Sequence, residues 1–205
     1  LGLKWLPNTV TILRCVLAIW VGFLILEFGR QLDAGRATGS WVFLPFAAFV
    51  FVAATDWLDG ALARGLDAVS PLGARLDPIA DKLLTGACLL TLAHLDSWTW
   101  TVSIPALTIV GRDLLMTAIR ESMGNPRGLK VTRAAKWKTA VALVAIGACL
   151  LGMAISALAL DTERFSAAWI GTRAVLMAGL VGIWVAAIMS VMTAADYVSA
   201  LRQQD

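Results

Sequence analysis

Four aspartates, Asp56, Asp59, Asp77 and Asp81, fall within 26 residues in paired, helix-like spacing. Asp56 and Asp59 are spaced i, i+3, and Asp77 and Asp81 are spaced i, i+4. In helices each pair shares one face. Clustered carboxylates repel one another and are costly to desolvate, so something positive must offset them. Oxygen-only ligands suit hard cations such as Mg²⁺, Mn²⁺ or Ca²⁺. Two divalent ions would balance four carboxylates charge for charge. A two-metal clamp on attacking and leaving oxygens is a common solution for phosphoryl transfer. Gly60 and Ala63 lack bulk, so a flat or phosphorylated ligand can approach their helix closely. Arg64, one turn past Gly60, can grip a phosphate in fork geometry. The plainer alternative makes the acids loop and cap charges, and Gly60 and Ala63 packing residues. It leaves the shared faces unexplained.

The elements that must position these residues are membrane helices. The chain has 205 residues and a mass of 21.8 kDa, which fits a single domain over 1–205. Hydrophobic residues make up 59% and charged residues 15%, against roughly 45–50% and about 25% in soluble domains. Mean hydropathy is +0.78. These values argue against a disordered chain, a soluble enzyme or a disulfide scaffold. Six stretches are long and apolar enough to span a bilayer: 9–28, 41–63, 78–95, 100–122, 135–157 and 168–200. The runs are continuous rather than alternating, which excludes a β-barrel. The expected fold is an all-α integral membrane protein of six transmembrane helices. Leu3, Trp5 and Leu6 around Lys4 suggest that Leu1–Asn8 ends a short juxtamembrane helix. Gly and polar residues mark 29–40 as a connection, His94–Ser97 as a tight turn and 124–133 as a longer polar loop. Asp56 and Asp59 then lie at the end of the second span. Asp77 and Asp81 open the third, with Pro78 in its first turn.

Charge sets the expected orientation. Lys4, Arg14, Arg64, Arg75, Lys82, Arg112, Arg120, Arg127, Lys130, Arg133, Lys136, Lys138 and Arg202 fall on one side, and Arg30, Arg36, Arg164 and Arg173 on the other. That split predicts cytoplasmic termini and a cytoplasmic aspartate cluster. Trp5, Trp41, Trp98, Trp100, Trp137 and Trp169 near span ends fit interfacial belts. Cys15, Cys88 and Cys149 lie in apolar runs without a CxxC partner, so neither a disulfide framework nor a zinc site is expected. One His, His94, cannot build a histidine metal site. Val10–Phe28 is too long for a signal's apolar region, so no cleavable signal is expected, although Leu1 in place of Met points to a trimmed start. Ala178, Gly182 and Ala186 recur every four residues, which predicts close helix packing within the chain, with a dimer face as the alternative.

The string Asp56-x2-Asp59-Gly60-x2-Ala63-Arg64-x8-Gly73-x3-Asp77-x3-Asp81 resembles the signature of the CDP-alcohol phosphotransferase family at all eight fixed positions. The resemblance implies a homodimer of six-helix subunits, each with a polar cavity open to the cytoplasm and to lipid. It implies that Asp56, Asp59, Asp77 and Asp81 hold two divalent cations, Mg²⁺ or Mn²⁺, and that Asp81 also acts as general base. It assigns Gly60, Ala63, Arg64 and Gly73 to the CDP site, with Ser70 beside them. No nucleic-acid partner is expected.

Three further segments resemble the phosphatidylglycerophosphate synthase branch of that family. They are Pro7-Asn8-x2-Thr11-x2-Arg14, the Arg112-Asp113 to Ile119-Arg120-Glu121 helix, and Val131-Thr132-x3-Lys136-x-Lys138-Thr139. This branch takes CDP-diacylglycerol and sn-glycerol 3-phosphate and releases CMP. The acceptor is a small dianion, and Arg112, Arg120, Arg133, Lys136 and Lys138 would bind its phosphate. Asn8, Thr11 and Arg14 would close the cavity from the first helix. A bacterial inner membrane fits the short chain. Asp113 departs from the branch's usual Glu, Ile119 from its Leu, and Ala142-Leu143 from its frequent Gln-Met. The Arg-Asp pair also occurs in cardiolipin synthases, which use phosphatidylglycerol, so that acceptor stays open, as does another member of the family such as a phosphatidylinositol-phosphate synthase, which would take inositol phosphate. An ion transporter is the alternative of another class, since intramembrane acids often mark ion paths. The clustering of the acids at one edge argues against it.

Overall fold

The computed structural model describes residues 6–37, 39–66, 73–122, 133–159 and 166–202. Six helices account for nearly all of them: α1 (Leu6–Asp33), α2 (Leu44–Leu66), α3 (Gly73–Leu95), α4 (Trp100–Ser122), α5 (Arg133–Leu158) and α6 (Ala167–Arg202). A 3₁₀ turn, Ser40–Phe43, leads into α2. There is no strand among the described residues.

The helices pack as a ring in the order α2, α1, α3, α4, α6, α5, and α5 closes back onto α2. Contact between α3 and α5 crosses the middle. A continuous core runs through the ring and includes Val21, Ile25, Phe49, Val52, Leu89, Ile109, Ile146 and Ile183. Outward faces carry large apolar side chains, such as Phe23, Trp100 and Val144. Apolar surface of that extent suits acyl chains rather than water. By length and composition, Thr11–Asp33, Trp100–Ile119, Lys136–Leu158 and Ala167–Asp196 can each cross a membrane. The apolar parts of the other two helices are shorter, Ser40–Thr55 and Lys82–Leu95. Four of the six expected spans therefore meet the length requirement among the described residues. In α2 and α3 the aspartate-bearing turns take up the rest of the helix.

Local chemistry explains the helix ends. α1 continues to Asp33, past the expected end at 28, because its stop signal is Gly35 at φ +66°. Gly35 N–H donates to Leu32 O and Arg36 N–H to Gln31 O, at 3.0 and 2.8 Å. Those are the two bonds of a Schellman cap, with glycine at its left-handed position. The expected tight turn after α3 is the same motif without glycine. Ser97 (φ +51°) donates to His94 O at 3.0 Å and Trp98 (φ +57°) to Ala93 O at 2.8 Å. Asp96 supports the turn by accepting from the hydroxyls of Thr99 and Thr101.

Two expectations need correction. Leu6–Asn8 belongs to α1 itself rather than to a separate surface helix, and Leu1–Trp5 lie outside the described residues. α3 starts at Gly73, so Pro78 sits in its second turn, not its first. Its missing N–H leaves the Ala74 carbonyl without an intrahelical partner.

The small-residue stripe on α6 does pack within the chain, with one register change. Ala178 faces outward, and Gly179 takes its place against α5. A Cβ on Gly179 would lie 2.7 Å from the Cys149 backbone nitrogen, and one on Gly182 would lie 2.7 Å from Ala145 Cβ. From the α5 side, a Cβ on Gly152 would meet the Leu176 backbone at 3.0 Å.

Candidate active site

α2 and α3 follow one another in the chain and touch only lightly, with α1 packed against both. The signature therefore occupies the end of one helix and the start of the next. Asp56, Asp59, Gly60, Ala63 and Arg64 are on α2, and Gly73, Asp77 and Asp81 on α3. The side chains of Asp56, Asp59, Ala63, Arg64, Asp77 and Asp81 lie outside the described residues, and Ser70 lies outside them entirely. The same holds for the side chains of Asn8, Arg120 and Arg133, whose backbones are in α1, α4 and α5. The donor set is four carboxylates on two consecutive helices with shared-face spacing. Such a set fits two hard divalent cations. Among the described residues no group of three or more His, Cys, Asp or Glu is placed to hold a metal. The three cysteines are free thiols, and His94 is exposed at the far end of α3, about 20 Å along the helix from Asp81.

Beside the signature lies a charged cluster that ties α4, α5 and α6 together. Lys138 of α5 is buried, and its Nζ donates to Asp113 Oδ1 at 2.6 Å. Arg112 Nη1 donates to the same oxygen at 3.0 Å. Arg112 Nη2 donates to Thr193 Oγ1 of α6, also at 3.0 Å. An unpaired arginine inside a span is expensive. Here the guanidinium has a counter-ion and a hydroxyl, and its side chain keeps 18% exposure. A second chain of bonds reaches the signature helix. The Thr117 hydroxyl donates to the Asp113 backbone carbonyl at 2.7 Å, and Lys82 Nζ donates to that hydroxyl. Lys82 follows Asp81 directly, so the aspartate helix and the cation cluster share one bonded framework.

Of the expected acceptor residues, Arg112 and Lys138 come together around Asp113. Lys136 is exposed two residues before Lys138, and Trp137 between them is 67% exposed, as an interfacial anchor should be. Thr11 and Arg14 are buried on α1, which packs against α2 and α3. The sequence reading missed Asp113 as the shared counter-ion and Thr193 as the α6 contact. The available signal was a lone acid next to an arginine inside an apolar span, since a buried charge needs a partner. Thr193 gave no signal, because threonines are common in membrane helices and only packing shows which one meets a guanidinium.

A cavity of about 200 Å³ opens at the opposite end of the bundle, lined by Leu92, Asp96, Thr101, Met153, Leu180 and other mostly apolar residues. It holds a single carboxylate and none of the signature residues.

Comparison with known proteins shows the family. Residues 4–192 match the CDP-alcohol phosphatidyltransferase family. A CDP-diacylglycerol–glycerol-3-phosphate 3-phosphatidyltransferase from Escherichia coli (strain K12) is 32% identical over 96% of this chain and 94% of its own length. A protein of the same name from Pseudomonas fluorescens is 39% identical, over 58% of this chain and 56% of its own length. A cardiolipin synthase (CMP-forming) from Oryza sativa subsp. japonica is 39% identical over 48% of this chain and 33% of its own length. With the family match running over nearly its whole length, the chain belongs to the CDP-alcohol phosphatidyltransferases.

Proposed function

We propose that the protein is a CDP-diacylglycerol–glycerol-3-phosphate 3-phosphatidyltransferase. It would transfer the phosphatidyl group to sn-glycerol 3-phosphate and release CMP. The observation that carries this reading is the pairing of a complete aspartate signature with a fixed cation cluster on adjoining helices. A phosphorylated acceptor needs that positive charge. Phosphatidylglycerol, the acceptor of cardiolipin synthesis, has no terminal phosphate to use it. The near-full-length likeness to the Escherichia coli enzyme favours the same acceptor.

Asp56, Asp59, Asp77 and Asp81 are the residues that would hold two divalent cations, Mg²⁺ or Mn²⁺. Bound there, the ions would neutralise the donor diphosphate and the charge growing on CMP. Gly60, Ala63, Arg64, Ser70 and Gly73 would bind the CDP head while the acyl chains stay in lipid. Arg112 and Lys138, with Arg120, Arg133 and Lys136, would bind the acceptor phosphate and aim its primary hydroxyl. Asp81 takes that hydroxyl's proton. The oxygen bonds to the donor's β-phosphorus, the diphosphate bridge breaks, and CMP leaves with the bridging oxygen. Positioning of the hydroxyl beside Asp81 would carry much of the rate. Asn8, Thr11 and Arg14 would close the cavity from α1. The proposal includes a cytoplasmic active site with both termini on that side, a bacterial inner membrane, and a homodimer.

The test is product identity. Purified protein with CDP-diacylglycerol, glycerol 3-phosphate and Mg²⁺ should form phosphatidylglycerophosphate and CMP in equal amounts, and chelation should stop both. A lipid product lacking the second phosphate contradicts the proposal.

A further inference from the structure

Arg112 has its fork committed on two sides. Nη1 meets Asp113 Oδ1 and Nη2 meets Thr193 Oγ1, each at 3.0 Å. The Thr193 proton is already used within α6, where the hydroxyl donates to Met189 O and Ser190 O at 2.9 and 3.0 Å. Its oxygen can therefore only accept from the guanidinium, which fixes the direction of that bond. Asp113 Oδ1 also takes Lys138 Nζ at 2.6 Å. The three charges come from α4 and α5 and sum to +1, and the hydroxyl comes from α6. Arg112 Nε–H is buried and finds no partner among the described residues.

We infer that Asp113 and Thr193 are positioning residues for the acceptor phosphate, and that they hold Arg112 and Lys138 as a preformed pair of donors. The inference rests on the reading of the acceptor as a phosphorylated alcohol. It adds a residue of α6, a helix without signature positions, to the acceptor site. Asp113 holds two cations that would otherwise repel each other, and Thr193 stops the guanidinium from turning about its last bonds. Preorganised donors bind without the cost of ordering them at each turnover.

Charge and positioning predict opposite results, which makes the inference testable. Replacing Asp113 with a neutral residue raises the local charge from +1 to +2, so attraction alone would lower the KM for glycerol 3-phosphate. Positioning predicts a rise. The experiment is steady-state kinetics of the full chain in mixed micelles with CDP-diacylglycerol, varying each substrate. Asp113→Asn should raise the KM for glycerol 3-phosphate about tenfold and leave that for CDP-diacylglycerol unchanged, and Asp113→Glu should restore most of the loss. Thr193→Val, which keeps shape and removes the acceptor, should raise the same KM about threefold, with Thr193→Ser near wild type. In an Arg112→Lys background Thr193→Val should add nothing, since its partner is gone. An unchanged or lowered acceptor KM in Asp113→Asn overturns the inference. So does a Thr193→Val cost that is equal with and without Arg112, or losses shared equally by both substrates. Wild-type turnover with glycerol 3-phosphate tests the parent reading separately: its absence sinks that reading, whereas an active wild type with unmoved variants sinks only this one.

Discussion

α5 and α6 meet in two different ways along their length. In the middle and towards one end they form a close seam, with Ala145, Cys149 and Gly152 facing Leu176, Gly179 and Gly182. Towards the other end, Lys138 of α5 and Thr193 of α6 never bond each other but both reach the Arg112–Asp113 pair of α4. The seam holds by close approach. Lipid tails are as apolar as the helices, so association depends on small residues that let the backbones touch. At the charged end every group needs a partner, because unmet charge in a low-dielectric setting is costly. The seam stabilises the bundle without chemistry. On the proposed reading, the charged end keeps its buried ions to bind the acceptor's phosphate.

Substitutions at each end should separate the two roles. The largest effect belongs to the signature. Asp81→Asn should cut CMP release by about 10²–10⁴-fold while the protein still unfolds at the wild-type temperature in detergent. A coupled loss of thermal stability would make Asp81 a structural residue. Next comes the seam. Gly179→Ala places a Cβ 2.7 Å from the Cys149 backbone nitrogen and 3.0 Å from the Ala145 carbonyl oxygen. Neither neighbour is a flexible side-chain end, so about 1–3 kcal/mol of stability should be lost, read as a lower unfolding temperature with unchanged KM values. A change in acceptor KM without a change in stability would break the division between the ends. Arg112→Lys should follow. One ammonium cannot reproduce two separated Nη contacts, so the acceptor KM should rise about tenfold. The smallest effect is a control on the seam. Gly171, also on α6, has open space where a Cβ would go, and Gly171→Ala should gain up to about 1 kcal/mol from helix propensity alone. A loss there would show that α6 resists side chains along its whole length.

Much of this was legible in the sequence for physical reasons. Continuous apolar runs located the six helices to within a few residues, since membrane spans need length and hydropathy above all. The larger boundary differences occurred where local chemistry acts: Gly35 allows α1 to run to Asp33, and α3 begins five residues before Pro78. The aspartate signature was readable because its function fixes residue types at fixed spacing. The counter-ion role of Asp113 was half visible, as an acid beside an arginine in an apolar span. Thr193 was invisible, since it acts through a contact 81 residues away in sequence. The seam was seen at Gly182, whereas Ala178 faces outward and Gly179 takes its place against α5, because a four-residue repeat does not say which neighbouring face meets the partner helix.

The central claim is that the charged end of the bundle transfers a phosphatidyl group to an acceptor recognised by its phosphate. The most direct measurement is CMP release from CDP-diacylglycerol with Mg²⁺, using glycerol 3-phosphate, glycerol and phosphatidylglycerol side by side. Release with glycerol 3-phosphate, and little with the other two, is the predicted result. Release with phosphatidylglycerol or plain glycerol equal to or above that with glycerol 3-phosphate would contradict it.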